Sequence, residues 1–127
     1  MDTQEIFDTV ARALMKQRVA SINPETGDCL YRCGELRCAV GWLIPDDRYT
    51  PDFEDEPVDV VINLCGIPTV KNGSDEAKLL SELQRAHDRR MPRVKGDEVA
   101  LEKWKRSMKD IAATFDLSWS VLNEEPA

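Results

Sequence analysis

The chain has only one histidine, His87, in 127 residues, and it lacks the motifs that build the common catalytic sites. No glycine-rich phosphate loop, no G-x-S-x-G turn and no H-E-x-x-H helix occurs in it. His87 precedes Asp88, but adjacent residues on a helix point about 100° apart, so the two do not by themselves predict an acid–base pair. We interpret His87 as a residue at the edge of the core and expect no catalytic residues, no cofactor and no enzymatic activity.

Long apolar runs are also missing, and the longest, such as VDVVINLCGI, are too short to span a bilayer. The first residues, MDTQEIFDTV, have neither the basic start nor the apolar stretch of a signal peptide. We therefore expect a cytoplasmic protein with no membrane segment and with reduced cysteines. A chain of this length can bury one core, so we predict a single domain over 1–127, with a tail that frays from about 122 to 127.

The four cysteines follow the spacing C-x3-C-x4-C-x26-C, starting at Cys29. Structural zinc sites usually have paired C-x2-C elements or added histidines, and this chain has neither. The spacing therefore favours thiols that pack as small apolar groups, and we assign no metal ligands. A small zinc-binding domain stays an alternative. The four residues are Cys29, Cys33, Cys38 and Cys65.

The periodicity of apolar residues predicts an α+β fold that is mainly α. Helical spacing and capping residues indicate three longer helices near 3–20, 74–90 and 97–115. The apolar run near 58–65 is too short for its period to separate strand from helix, but Pro57 before it and Gly66 after it favour a short helix. CLYR and LRCAV, separated by CGE, predict a small β-hairpin with Cys33 and Gly34 at its tip. We expect the helices to pack around this hairpin and Cys29 to lie beside Cys38 across the strands. The residues that would attach the hairpin to the helices are Cys38, Val40, Trp42 and Ile44.

Charge is unevenly distributed over the chain, whose net charge is −7. The segment 45–57 is rich in carboxylates and prolines, which predicts an acidic surface loop. Such a loop is commonly just solvated, but aromatic residues among the acids also suit a surface that recognises a partner protein. We expect the carboxylates of residues 52 and 54–56 to be reversible to lysine without loss of the fold. The candidate partner-binding residues are Asp46, Asp47, Tyr49, Asp52, Phe53, Glu54, Asp55 and Glu56.

A basic segment follows at 85–109, with nine basic and four acidic residues. One interpretation pairs it with the acidic loop, within the fold or across a homodimer. The alternative is a nucleic-acid-associated module, although the acidic total disfavours phosphate binding. The residues of that alternative are Arg85, Arg89, Arg90, Arg93 and Lys95.

The strings CLYR, RCAVGWLIPD and LLSELQRAHD resemble a group of small uncharacterised proteins from tailed phages, prophages and bacteria. That group has a recurrent core of C-x-Y-R, (K/R)-C-A-V-G-x-L-I-x-D and L-x-x-L-Q-x-x-H-D, and the likeness covers most of 5–117. The resemblance implies that Cys29 and Cys38 match the usual cysteines of the group, whereas Cys33 stands where glycine or proline is common. It implies no established activity. It does imply a phage-like setting, in which small acidic proteins often bind and block host machinery. We therefore expect a non-catalytic, phage-encoded acidic protein that inhibits or redirects a host protein in the host cytoplasm.

Overall fold

The computed structural model describes residues 2–65 and 73–124, and over these ranges it confirms the predicted fold class. Four α-helices and one two-stranded antiparallel hairpin form in the described residues, and short 3₁₀ turns lie at Val40–Trp42, Pro51–Phe53 and Ser120–Asn123. No helix in this part of the chain is long and apolar enough to cross a membrane. The elements are α1 (Thr3–Gln17), β1 (Arg32–Cys33), β2 (Leu36–Arg37), α2 (Val58–Cys65), α3 (Asp75–Arg90) and α4 (Glu98–Thr114).

Helix α1 begins at a capping box and ends earlier than predicted. The Asp2 carboxylate accepts a hydrogen bond from the Glu5 amide at 2.8 Å, and the Glu5 carboxylate accepts one from the Asp2 amide at 3.2 Å. At the other end Arg18 adopts a left-handed conformation with φ of 64°. Because that conformation ends a helix, residues 18–20 leave α1 and lead towards the hairpin.

The core is one cluster centred on α3, which packs against α1, α2 and α4. Helices α1, α3 and α4 contribute the apolar stripes that their periodicity predicts, and α2 contributes Val61 and Ile62. The largest side chain in the cluster, Trp104 on α4, is fully buried. Burial of this continuous apolar surface holds the helices together, and the chain on either side of the hairpin joins the core through Tyr31, Cys38 and Val40.

The hairpin is shorter than predicted and turns one residue later. Arg32 pairs with Arg37 and Cys33 with Leu36, so Cys33 belongs to a strand. The turn is Gly34–Glu35, and glycine suits it because φ at Gly34 is 62°.

The predicted neighbourhood of Cys29 and Cys38 across the hairpin is wrong. Cys29 pairs with Ile22 in an isolated bridge before the hairpin begins, and Cys38 follows β2. The chain then coils into the Val40–Trp42 turn instead of extending the strand. Cys38, Val40 and Ile44 are buried as expected.

The C-terminal segment packs further than the predicted fraying point. Leu122 is buried against the core, and the carboxylate of Glu124 accepts a bond at 2.8 Å from the guanidinium of Arg12. Residues 125–127 of the predicted tail lie outside the described residues, as does the side chain of Cys65.

Candidate functional site: an acidic cleft beside a buried histidine

His87 is completely buried, not at the core edge, and both ring nitrogens are hydrogen bonded. The backbone amide of Ser21 donates to Nε2 at 3.0 Å, and Nδ1 lies 2.9 Å from a carboxylate oxygen of Asp88. Because Nε2 accepts a bond, the ring proton lies on Nδ1 and is donated to Asp88. The structure thus corrects our expectation for this pair: side-chain rotation brings the two groups together although their Cα–Cβ bonds diverge.

The bonds of His87 continue through Gln84, which lies one turn earlier on α3. The Gln84 amide nitrogen donates to the same Asp88 oxygen at 2.9 Å, and its oxygen accepts from the backbone amide of Val40 at 3.0 Å. The network therefore ties α3 to two distant segments, the strand-like residues after α1 and the turn after the hairpin. Satisfying these buried polar groups makes the network a structural element of the core.

Cys29 completes a constellation that looks like a Cys–His–Asp catalytic group. Ligating atoms of Cys29, His87 and Asp88 all lie within 4.8 Å of one another, and the thiol is 3.9 Å from the Asp88 carbonyl oxygen. A general base needs a free lone pair towards the nucleophile, but the Ser21 amide already uses the Nε2 lone pair of His87. Partial burial, followed by the charge of Asp88, also raises the pKa of the Cys29 thiol. Both features oppose a thiolate nucleophile.

The same three residues have the ligand types of a zinc site. Metal binding at Nδ1 would move the ring proton to Nε2, where it would face the N–H of Ser21. That exchange leaves two donors opposed in a buried position, so the hydrogen bonding favours the metal-free arrangement. In the described part of the chain, neither Cys33 nor Cys38 belongs to a group that could hold a metal; the Cys38 sulfur accepts a bond from the Gly41 amide at 3.3 Å.

A cleft of about 480 Å³ opens beside the network, and its lining is acidic. In the residues that the structure describes, the carboxylates of Asp28, Asp55 and Glu56 have neither a hydrogen-bond donor nor an ion-pair partner. Asp88 contributes a fourth carboxylate from the α3 wall. The lining residues are Asp28, Cys29, Leu30, Tyr31, Asp55, Glu56, Pro57, Val58, Gln84 and Asp88.

Two cleft carboxylates, Asp28 and Asp88, were not among the residues selected from the sequence. Gln84 and Asp88 lie four residues apart on a predicted helix, so the sequence alone could have predicted that they share one face of that helix. Asp28 and Asp55 approach that face only through tertiary packing, which the residues next to them in the sequence do not predict.

The acidic loop contains residues with two different roles. The Glu54 carboxylate accepts bonds from the amides of Tyr31 at 2.7 Å and Arg32 at 3.2 Å, and from the Tyr49 hydroxyl at 2.6 Å. Phe53 is only 5% exposed and packs edge-to-face on Tyr49, with ring centroids 6.3 Å apart. These three loop residues anchor the segment to the hairpin, so reversal of Glu54 would remove a structural contact.

The remaining loop carboxylates face solvent. Asp46 is exposed but forms ion pairs with Arg32 at 3.0 Å and Arg37 at 3.1 Å. The other side chains have no partner in the described residues, and together with Asp28 we call them the acidic face. The acidic face comprises Asp28, Asp47, Asp52, Asp55 and Glu56.

The basic residues of the alternative function lie around the C-terminal half of α3, and all five are exposed. Arg93 donates to the Asp88 carbonyl at 3.1 Å, and neither it nor Lys95 lines the neighbouring groove. That groove, between α3 and α4, measures about 210 Å³ and has Arg85, Arg89 and Arg90 on one wall. We call it the basic groove, and its other lining residues are Glu82, Ala86, Ser107, Asp110 and Ile111.

No protein-family model matches this chain, and neither a curated protein nor a solved structure matches it. The cleft and the groove therefore have to be interpreted from their own chemistry.

Proposed function

We propose that this chain is a non-catalytic binding protein that captures a partner protein through the acidic face and the adjoining cleft. The partner would present lysine or arginine side chains. Following the resemblance in the sequence, we further propose that the protein is phage-encoded and that the partner is a host protein whose activity it inhibits or redirects in the host cytoplasm.

The observation that carries this proposal is the set of unpaired carboxylates at the cleft. Asp28, Asp55 and Glu56 have no cationic partner in the described residues, although they share one concave surface. Like charges held close together repel one another, and a cation from a partner relieves that repulsion on binding. A cleft of about 480 Å³ is large enough to admit a long basic side chain, and the exposed acids would steer its approach.

Neutral variants of the two loop carboxylates test the proposal. The double variant Asp55→Asn, Glu56→Gln keeps the size of both side chains, and asparagine tolerates the positive φ of 74° at position 55. Tagged protein would capture its partner from a bacterial lysate, the partner would be identified by mass, and its affinity would be measured by titration calorimetry. We expect the double variant to bind at least about tenfold more weakly, and the difference to shrink at high salt.

The matched control is Glu25→Gln, an exposed acid in the turn at 23–28 that does not line the cleft. It should bind as the unmodified protein does. Equal affinities for all three proteins would exclude the cleft as the recognition surface.

The nucleic-acid alternative has weaker support. The carboxylates of Glu82 and Asp110 offset two of the three arginines in the basic groove, which leaves little positive charge for a backbone that presents many phosphate groups in a row.

A further inference from the structure

We propose that the basic groove binds the acidic face of a second copy of this chain, so that copies associate head to tail. The inference rests on the same acidic face as the proposed function. A second copy and the partner protein would therefore compete for one surface.

Three arginines and two carboxylates, those of Glu82 and Asp110, line the groove, so one positive charge is left over for an incoming carboxylate. The guanidinium groups of Arg89 and Arg90 have no partner in the described part of the chain, and that of Arg85 has Glu82 at 3.3 Å. The floor is apolar, because Ala86 and Ile111 are nearly buried there. Arginine forks bind carboxylates in a bidentate geometry.

The position of the two surfaces on α3 makes the contact intermolecular. Gln84 and Asp88 line the acidic cleft, whereas Arg85 and Arg89 line the basic groove. Adjacent helix positions point about 100° apart, so the two surfaces flank different sides of one rigid helix. A molecule therefore cannot place its own acidic face in its own groove, and a second copy must supply it.

A contact between two different patches is heterologous, which leaves one face and one groove free in each pair. Further copies can then add to either end. Each copy carries a net charge of −7, so two copies repel one another most when the salt concentration is lowest. At about 0.1 M salt the Debye length is about 10 Å, which screens that long-range repulsion but leaves the short arginine–carboxylate pairs; at about 1 M, with a Debye length of about 3 Å, these pairs should be lost as well.

A second copy fits the groove better than nucleic acid does. Residues 1–84 have 16 acidic and 8 basic side chains, and they repel a duplex, with one negative charge per ~1.7 Å of its axis, more strongly than they repel a copy whose net charge is −7. The exposed carboxylates of Asp52 and Glu56 are instead separate charges that single arginines can pair with.

Two charge-reversed variants test the inference. The groove variant is Arg89→Glu, Arg90→Glu, and the face variant is Asp52→Lys, Glu56→Lys. Sedimentation equilibrium at about 0.1 M salt should show the mass of the unmodified protein rising with concentration above 14.4 kDa, and each variant alone staying at that mass. A 1:1 mixture of the variants should associate again, because an intact groove meets an intact face and the reversed groove and reversed face also carry opposite charges. The neutral pair Arg89→Gln, Arg90→Gln and Asp52→Asn, Glu56→Gln should instead stop at a dimer of twice that mass, since it has one intact groove facing one intact face.

Matched controls reverse exposed charges elsewhere: Lys78→Glu on the same helix, and Glu25→Lys. Both should associate as the unmodified protein does. A glutamate near the end of α3 opposes the helix dipole, so Arg89→Gln, Arg90→Gln provides a second groove variant, and circular dichroism would confirm that each variant is folded.

Several results would overturn the inference: an unmodified protein that is monomeric at about 0.1 M salt, variants that still associate alone, or a mixture that stays monomeric. A mobility shift of duplex DNA that depends on Arg89 and Arg90, without self-association, would assign the groove to nucleic acid instead. The proposed function is judged separately, because the Arg89→Gln, Arg90→Gln variant keeps the acidic face and should still capture the partner. Loss of partner capture in Asp55→Asn, Glu56→Gln supports the proposed function whatever the state of association.

Discussion

At the scale of single residues, Gly41 lies where the turn after the hairpin passes against the strand segment before it. A β-carbon built on Gly41 would stand 2.0 Å from the carbonyl oxygen of Tyr31 and 3.3 Å from the β-carbon of Arg37. The Tyr31 oxygen cannot simply move away, because it accepts a hydrogen bond from the Cys38 amide at 3.1 Å. Glycine is thus required at this position of the RCAVGW string because there is no room for a β-carbon, and not because the backbone adopts an unusual dihedral angle.

We predict that Gly41→Ala lowers the free energy of unfolding by about 3 kcal/mol or more, because the clash forces backbone apart in a packed region. Urea unfolding followed by circular dichroism would measure it. Gly27→Ala is the control: its φ is 77° but no atom lies within 4 Å, so it should cost only about 1 kcal/mol. Equal costs at the two positions would contradict the packing argument.

At the scale of elements, one carboxylate makes three of the contacts that hold the segment between the hairpin and α2. Glu54 spans 22 and 23 residues to reach the amides of Arg32 and Tyr31, and it also accepts from Tyr49. Arg32 stacks over the Tyr49 ring, with 4.8 Å between its guanidinium carbon and the ring centroid. The acidic loop is therefore a packed structure with charges on its outer side.

We predict that Glu54→Gln destabilises the fold by about 2 kcal/mol, since an amide cannot offer two acceptor oxygens to these donors. Asp52→Asn, in the same loop but exposed and unpaired, should change stability by less than about 0.5 kcal/mol. Thermal unfolding of the two isosteric variants, side by side, would measure both effects. A Glu54→Gln protein as stable as the Asp52→Asn protein would show that the loop is held in another way.

The elements that could be predicted from the sequence are those whose signals are local. Helix α3 has its cap, its first-turn acids and its apolar stripe within one segment, and its predicted span of 74–90 differs from the structure by one residue. The contacts of Glu54 are tertiary, and so is the hydrogen bond between His87 and Ser21, 66 positions away. The residues next to them in the sequence give no signal that predicts these contacts. The hairpin tip shifted because a two-residue turn with Gly34 first leaves Cys33 in the strand.

At the scale of the whole molecule, several weak acids are held in their neutral form by the fold. Burial raises the pKa of the fully buried Cys38 thiol well above its ordinary range, and it also raises the pKa of the phenols of Tyr31 and Tyr49. In the unfolded chain a thiol ionises near pH 8.5 and a phenol near pH 10. Because the folded protein keeps protons that the unfolded chain releases, these groups favour unfolding as the pH rises.

We therefore predict that stability is constant below about pH 8 with respect to these groups and falls above it. Each thiol whose pKa the fold raises lowers the free energy of unfolding by up to about 1.4 kcal/mol per pH unit, once that thiol is ionised in the unfolded chain. The phenols add to this loss above about pH 10. Urea midpoints measured between about pH 7 and pH 10.5 would follow this loss.

The variant Cys38→Ala separates the thiol from the other groups. It should be less stable at neutral pH, because it leaves a cavity and removes the acceptor of the Gly41 amide, yet its stability should fall less steeply from about pH 8.5 to pH 10. The slope does not vanish, since the partly buried Cys29 also has a raised pKa. The flattening isolates proton linkage from the loss of packing, because a cavity alone lowers the whole curve without changing its shape. An identical slope in both proteins would mean that Cys38 ionises as readily in the fold as in the unfolded chain, against its burial beneath the turn at Val40–Trp42.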